Sequence, residues 1–330
     1  MDDKTSFENL YKILAGECIM PVYQPVVSLS NGAVFGYEAL SRITDDTLNM
    51  DIDHMFRTAD RIGKSWELEA LCRSKSLENA VHMDASKKLF LNVNPNIIYD
   101  PQFINGFTQN RLKEYGLENI DITFEITERV AIIYSSAFAS AIEHYKTQNY
   151  GIAIDDVGSG YSGLSVILSV RPNIIKLHIS LIRDIDKDEN KQHLCKALVE
   201  FGRGAGIKIL AEGIETEEEL ETLIKLNVDY GQGFFLGIPR KSFADIAAEK
   251  QDMIKNFHNK KYIENARSSV YPIIGHLAKP GHTFSPDEKT AAIYETLRLN
   301  PTITEFAIVE NDEAIGFMTK TAFSEMLGGR

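Results

Sequence analysis

The chain has 330 residues, 44% of them hydrophobic, with 35 Lys and Arg against 47 Asp and Glu for a formal charge of -12. That length and apolar content suffice for one large domain plus a smaller one, and the acidic balance argues against broad binding to DNA or RNA. No stretch approaches the roughly 20 apolar residues of a membrane span, no basic, apolar leader opens the chain, and Cys18, Cys72 and Cys195 form no CxxC pair. A cytoplasmic protein with free, buried thiols is the expectation, with neither a disulfide framework nor a zinc-thiolate site.

In chain order, residues 5–16 carry the spacing of a short amphipathic helix, and VYQPVVSL follows as an apolar strand interrupted by Gln24-Pro25. Ser30-Asn31-Gly32 makes a hairpin turn, so the return strand AVFGYEALSR brings Glu38 into an otherwise apolar segment. Helical spacing over 52–62 and 66–82, the latter through Trp66, Leu68, Leu71, Leu77 and Val81, precedes a second strand, LFLNVNP, that holds Asn92. A helical region over 101–115 leads to IDITFEITE, where Ile122, Phe124 and Ile126 alternate with Thr123, Glu125 and Thr127. Alternation in an isolated strand turns Glu125 to solvent, whereas in a closed barrel the same face points inward.

A helix over 134–148 precedes GIAIDDVGSGYSG, in which an apolar run ends in Asp155 and Asp156 ahead of a glycine-rich loop. Two readings are open there, a solvated turn capping the next helix or a site at a strand end. Then come IIKLH with Lys176, a helix over 189–204, IKILAEGI with Glu212, a helix over 216–226, and VDYGQGFFLGIP with Gln232.

Strands near 22, 89, 122, 151, 174, 207 and 228 alternate with helical segments, which predicts a TIM-like (β/α) barrel. Glu38, Asn92, Glu125, Asp155, Asp156, Lys176, Glu212 and Gln232 then meet at one face. So many carboxylates cannot all stay ionised in one pocket without a cation. Oxygen donors without Cys or His select Mg²⁺ or Mn²⁺, and two such ions roughly 3.5–4 Å apart suit in-line displacement at phosphorus. Lys176 is either the ion-pair partner that balances the acids or a group that polarises the attacking water.

These residues carry a resemblance. YQPVVSL, YEALSR, LNVNP, FEITE, IDDVGSGYSGLS, IKLH, AEGIET and YGQGFFLGIP resemble, in order and spacing, the motif set of the EAL family, which hydrolyses cyclic di-GMP to linear pGpG. The resemblance covers roughly residues 6–245. It implies metal ligands at Glu38, Asn92, Glu125 and Asp155, with Asp156 helping to hold a second ion. It further implies water-orienting and proton-handling roles for Lys176 and Glu212, a place near substrate and metal for Gln232, and nucleotide contacts from Gln24 and from Leu40 to Arg42. Glu128 matches an acid that braces the loop after the aspartate pair, and Glu215 is expected as a supporting partner. Two positions depart from the family pattern. Val157 replaces a usual Phe in the loop that couples the metals to a dimer interface, and His178 replaces a common Asp.

Three parts follow from this reading: a barrel over 1–245, a linker helix over 246–270 and a module over 271–330. Helical spacing over 241–266 runs through Phe243, Ile246, Ala247, Ile254 and Phe257, a packing surface. Beyond it, Pro272–Leu277, a helix over 287–299 and EFAIVENDEAIGFMTK with a turn at Asn311-Asp312 resemble a single CBS motif. CBS motifs pair around adenine nucleotides, so the resemblance implies homodimerisation or a longer protein with a second motif and a GGDEF domain. The expected activity is metal-dependent hydrolysis of cyclic di-GMP; the alternatives are a receptor that binds it without cutting, and a barrel acting on another phosphodiester.

Overall fold

The computed structural model describes residues 3–127, 136–159, 164–261, 282–310 and 313–328. The chain divides into two compact units, Met1–Lys261 and Tyr262–Arg330. Among the described residues no helix is long and apolar enough to cross a membrane.

Unit one is a closed barrel of eight strands: β1 (Ile19–Ser28), β2 (Val34–Ile43), β3 (Lys88–Asn92), β4 (Asp121–Thr127), β5 (Gly151–Val157), β6 (Ile174–Leu177), β7 (Lys208–Ala211) and β8 (Tyr230–Gly231). From β2 to β8 neighbouring strands run parallel, but β1 is antiparallel to both β2 and β8. The hairpin at Asn31-Gly32 explains this reversal, because a tight turn can join only antiparallel neighbours. Helices over Ser65–Asn79, Phe107–Glu114, Ser136–Thr147, Leu164–Val170, Glu189–Ala205 and Glu217–Lys225 lie between successive strands. The helix Leu164–Val170 escapes the sequence reading, since seven residues with only Ser165 and Ser169 polar are too few to show a helical period.

Inside the barrel, side chains two residues apart on a strand form successive layers. One layer is apolar and includes Val26, Phe90, Ala153, Ile174 and Leu210. Gly36 belongs to this level because a Cβ there would lie 2.5 Å from the Lys88 carbonyl and 2.9 Å from the Phe90 ring. Two residues further on, every strand or its immediate end places a polar residue: Glu38, Asn92, Glu125, Asp155, Lys176, Glu212 and Gln232. On the reversed β1 the polar residue, Gln24, comes two positions before Val26 instead of after it.

One boundary differs from the sequence reading. The helix expected over 241–266 begins at 248 and is described to 261, so Phe243 and Ile246 precede it. They pack nonetheless: Phe243 lies against Tyr23 and Tyr37, with ring centroids 4.0 and 5.1 Å away. The bridge between Tyr23 and Arg240 keeps this segment extended, overriding its helical spacing.

Unit two holds β9 (Thr283–Phe284), a helix over Thr290–Leu299, the hairpin strands β10 (Glu305–Glu310) and β11 (Glu313–Thr319), and a helix over Lys320–Gly328. Its sheet has the order β11-β10-β9, with β9 parallel to β10. Phe284, Ile293, Leu297, Phe306 and Phe323 form its core. The segment Pro272–Leu277 and the turn at Asn311-Asp312 lie outside the described residues.

Candidate active site

Lys176 is the centre of the polar layer. It is fully buried, and its Nζ lies 2.7 Å from Glu125 Oε1, 2.8 Å from Glu212 Oε1, 3.3 Å from Asp155 Oδ1 and 3.7 Å from Glu38 Oε2. Burial opposes its charge, but the four carboxylates outweigh burial and hold its pKa well above the ordinary lysine value. This geometry is compatible with both sequence readings of Lys176.

Glu38 is fixed from both sides by amides. Gln232 Nε2 donates to its Oε2 at 2.6 Å and Asn92 Nδ2 to its Oε1 at 3.0 Å. Gln24 Oε1 accepts from the same Gln232 amide at 3.0 Å, and its own amide donates to the Gly237 carbonyl at 3.1 Å. Burial raises the Glu38 pKa, yet Lys176 and these donors prevail and bring it below the ordinary glutamate value. Glu125 goes the other way. Burial, and then the charge of Glu38, lift it well above the usual range, and Glu125 Oε2 has no hydrogen-bond partner. Burial likewise pushes Glu212 up to about 8 despite Lys176.

Asp155 and Asp156 are neighbours, so on a regular strand they would face opposite sides. The β5–β6 register shifts between Ile154 and Val157, and Asp156 adopts a left-handed backbone with φ 63°. This bulge, tolerable for aspartate, leaves Asp155, Asp156 and Glu212 with carboxylate oxygens all within 4.8 Å of one another. Burial and the Asp155 charge raise the Asp156 pKa. The pair thus joins Glu212 in one acidic cluster beside the ends of β5 and β7.

Val157 is not a loop residue. It ends β5, is 5% exposed and pairs with Leu177, because the bulge returns it to the core. His178 caps the short helix Ile179–Ile182, with Nδ1 accepting from the Ser180 N–H at 3.2 Å, which assigns the proton to Nε2. That Nε2 lies 3.9 Å from Asp156 Oδ1. Glu215 stands apart from the cluster: it is exposed and paired with Arg183. Glu128 lies outside the described residues.

A cavity of about 500 Å³ opens beside the cluster and is lined by Leu40, Arg42, Phe56, Asn92 and Glu125 among others. Arg42 donates to the Ser41 carbonyl at 2.8 Å. The same wall holds a buried pair that the sequence reading missed: Glu69 and Arg73, 3.0 Å apart on one helix. Glu69 Oε1 also accepts from the backbone N–H of Asn94 at 2.6 Å, two residues after Asn92, and Arg73 donates to Thr108 at 3.1 Å. A Glu and an Arg spaced four apart on the face that carries Leu77 were the available signal.

The donors suit a hard divalent cation. All are carboxylate or amide oxygens, Glu125 keeps one buried oxygen unpartnered, and Lys176 alone faces four acids.

The EAL domain family model matches residues 8–239. The probable cyclic di-GMP phosphodiesterase PdeI of Escherichia coli K12 is 32% identical over 225 residues, which are 66% of this chain and 28% of that protein. A PaMucR phosphodiesterase in complex with cyclic di-GMP superposes with a TM-score of 0.63 at 25% identity, over 74% of this chain and 98% of that one. Klebsiella pneumoniae BlrP1, with manganese and the same dinucleotide, has a TM-score of 0.62 at 25% identity, over 70% of this chain and 58% of that one. The chain spans less than a third of the length of the first curated relatives it matches. With a family model covering most of its length and an eight-stranded barrel in common, this chain belongs to the EAL domain family.

Proposed function

We propose that this chain hydrolyses cyclic di-GMP to linear pGpG and requires Mg²⁺ or Mn²⁺ to do so. The observation that carries this reading is the complete polar layer, one residue from each strand of the barrel, in a family whose relatives are named phosphodiesterases. Glu38, Asn92, Glu125 and Asp155 would hold a divalent ion, with Asp156 offering an oxygen for a second. Bound there, such ions lower the pKa of water and neutralise charge on phosphoryl oxygens.

The chain's own groups supply the rest. Lys176 keeps four carboxylates converged and presents a cation to negative charge that develops on the phosphoryl oxygens. Glu212, raised to about 8, is poised to accept and release a proton near neutral pH. Gln24, Gln232 and Asn92 hold Glu38 in place. Arg42, on the cavity wall with donors to spare beyond its bond to Ser41, can pair with a phosphate, while Leu40 and Phe56 offer apolar surface to a nucleotide. No member of the layer is missing, so nothing favours a receptor that binds without cutting.

On the same reading unit two is a CBS-like regulatory module and the chain acts as a homodimer, with adenine nucleotides as candidate ligands of a paired module. Phe317, 81% exposed on β11, supports a contact surface there.

The test is purified chain incubated with cyclic di-GMP and Mg²⁺ or Mn²⁺, with pGpG and GMP resolved chromatographically. Conversion to pGpG is expected, nearly abolished in Glu38→Ala with the fold retained. Substrate left intact under both metals would overturn the reading.

A further inference from the structure

At the end of the barrel remote from the acid cluster, where β1 finishes and β7 and β8 begin, lies a second cavity of about 290 Å³. Its lining is cationic in an otherwise acidic protein: Arg203, Lys208, His258 and Lys261, against Asp229. Both oxygens of that carboxylate are engaged already. Asp229 Oδ1 takes Lys208 Nζ at 2.7 Å, and Oδ2 accepts from the Ile209 N–H at 3.0 Å.

Among the described residues the other two permanent cations lack a counter-charge. Lys261 Nζ donates to the Ile224 carbonyl at 2.6 Å and to Asn227 Oδ1 at 2.5 Å, both neutral acceptors. Arg203 has no ion-pair partner among the described residues. Burial and the neighbouring Arg203 charge together push Lys261 below its ordinary pKa, as expected for two like charges held in one concavity. The arrangement inverts the catalytic end, where acids converge around too few cations.

We infer that this cavity binds a phosphate-bearing anion, gripped by Arg203 and Lys261 with Lys208 and His258 at its rim. Two uncompensated positive charges match a phosphate monoester dianion, and the guanidinium fork of Arg203 can take two phosphate oxygens at once. The volume admits a phosphate together with a small organic group, near the lower end of small-molecule pockets, roughly 300 Å³. This site stands independently of the activity assigned to the acid cluster.

The probe is inorganic phosphate, titrated calorimetrically into the metal-stripped full chain at constant ionic strength. Without metal the catalytic end repels anions, so saturable binding reports the basic cavity. One-site binding is expected, weakened about tenfold or more in Arg203→Gln and in Lys261→Gln, and unchanged in Glu38→Ala. Arg203 makes no side-chain hydrogen bond or ion pair among the described residues, so Arg203→Gln should melt as the parent does and separates lost binding from lost folding. Absence of saturation, or equal affinity in parent and Arg203→Gln, would overturn the site.

Discussion

Lys176 Nζ and Glu125 Oε1 stand 2.7 Å apart with both side chains fully buried, yet neither atom completes a hydrogen bond of acceptable geometry. The attraction is therefore electrostatic, one ammonium shared among four carboxylates. Lys176→Met removes the only cation that the described residues place at the centre of the cluster. Hydrolysis should fall at least about a hundredfold, and the melting temperature should fall in chelator but largely recover with Mn²⁺. A variant that melts like the parent in both conditions would show that the acids do not depend on the lysine.

Glu212 makes the stability of the metal-free chain depend on pH. Its folded pKa, about 8, exceeds the ordinary 4.5, so between those values the folded state binds a proton that the unfolded state has released. Stability then declines as pH rises across that window. Melting scans in chelator should show this decline, and Glu212→Gln should flatten it. A parent profile that is level from pH 5 to pH 8 would contradict the raised value.

Glu69 and Arg73 are each nearly inaccessible and meet at 3.0 Å, with the Asn94 N–H also bound to Glu69. Glu69→Ala leaves a buried guanidinium without its partner, a change on the order of 3–5 kcal/mol. Denaturant unfolding should report that loss, and Glu69→Ala combined with Arg73→Met should be more stable than Glu69→Ala alone. Because Asn94 follows Asn92 closely, the single variant should also weaken protection by Mn²⁺.

Val157→Phe now carries the opposite expectation from the one its family position suggests. An aromatic at a loop position would tighten a dimer, but Val157 is 5% exposed and paired with Leu177. The larger ring overpacks the core and should destabilise by about 1–3 kcal/mol. Urea unfolding measures this directly; a stabilised variant would show that the core has room.

Seven residues of the polar layer were legible in the strand pattern, while Gln24 on β1 was named as a site residue only through the family resemblance. Each of the seven lies in or at the end of a mainly apolar run, and the period of two puts it on the same face as the residue two positions before it. Burial of such a residue is improbable without a purpose, which is why Glu38, Asn92, Glu125, Asp155, Lys176, Glu212 and Gln232 stood out.

The tertiary structure alone decided what these residues touch. Strand periodicity is a local property, whereas the bulge at Asp156 that turns two adjacent acids into one site depends on pairing with β6. The antiparallel seating of β1, the return of Val157 to the core and the bracing of Asn94 by Glu69 likewise arise from segments distant in sequence. So does the pairing of Arg203 with Lys261 around one cavity, since only closure of the barrel brings like charges from two helices together. Local pattern told which residues had to face inward; barrel closure set the distances on which their chemistry depends.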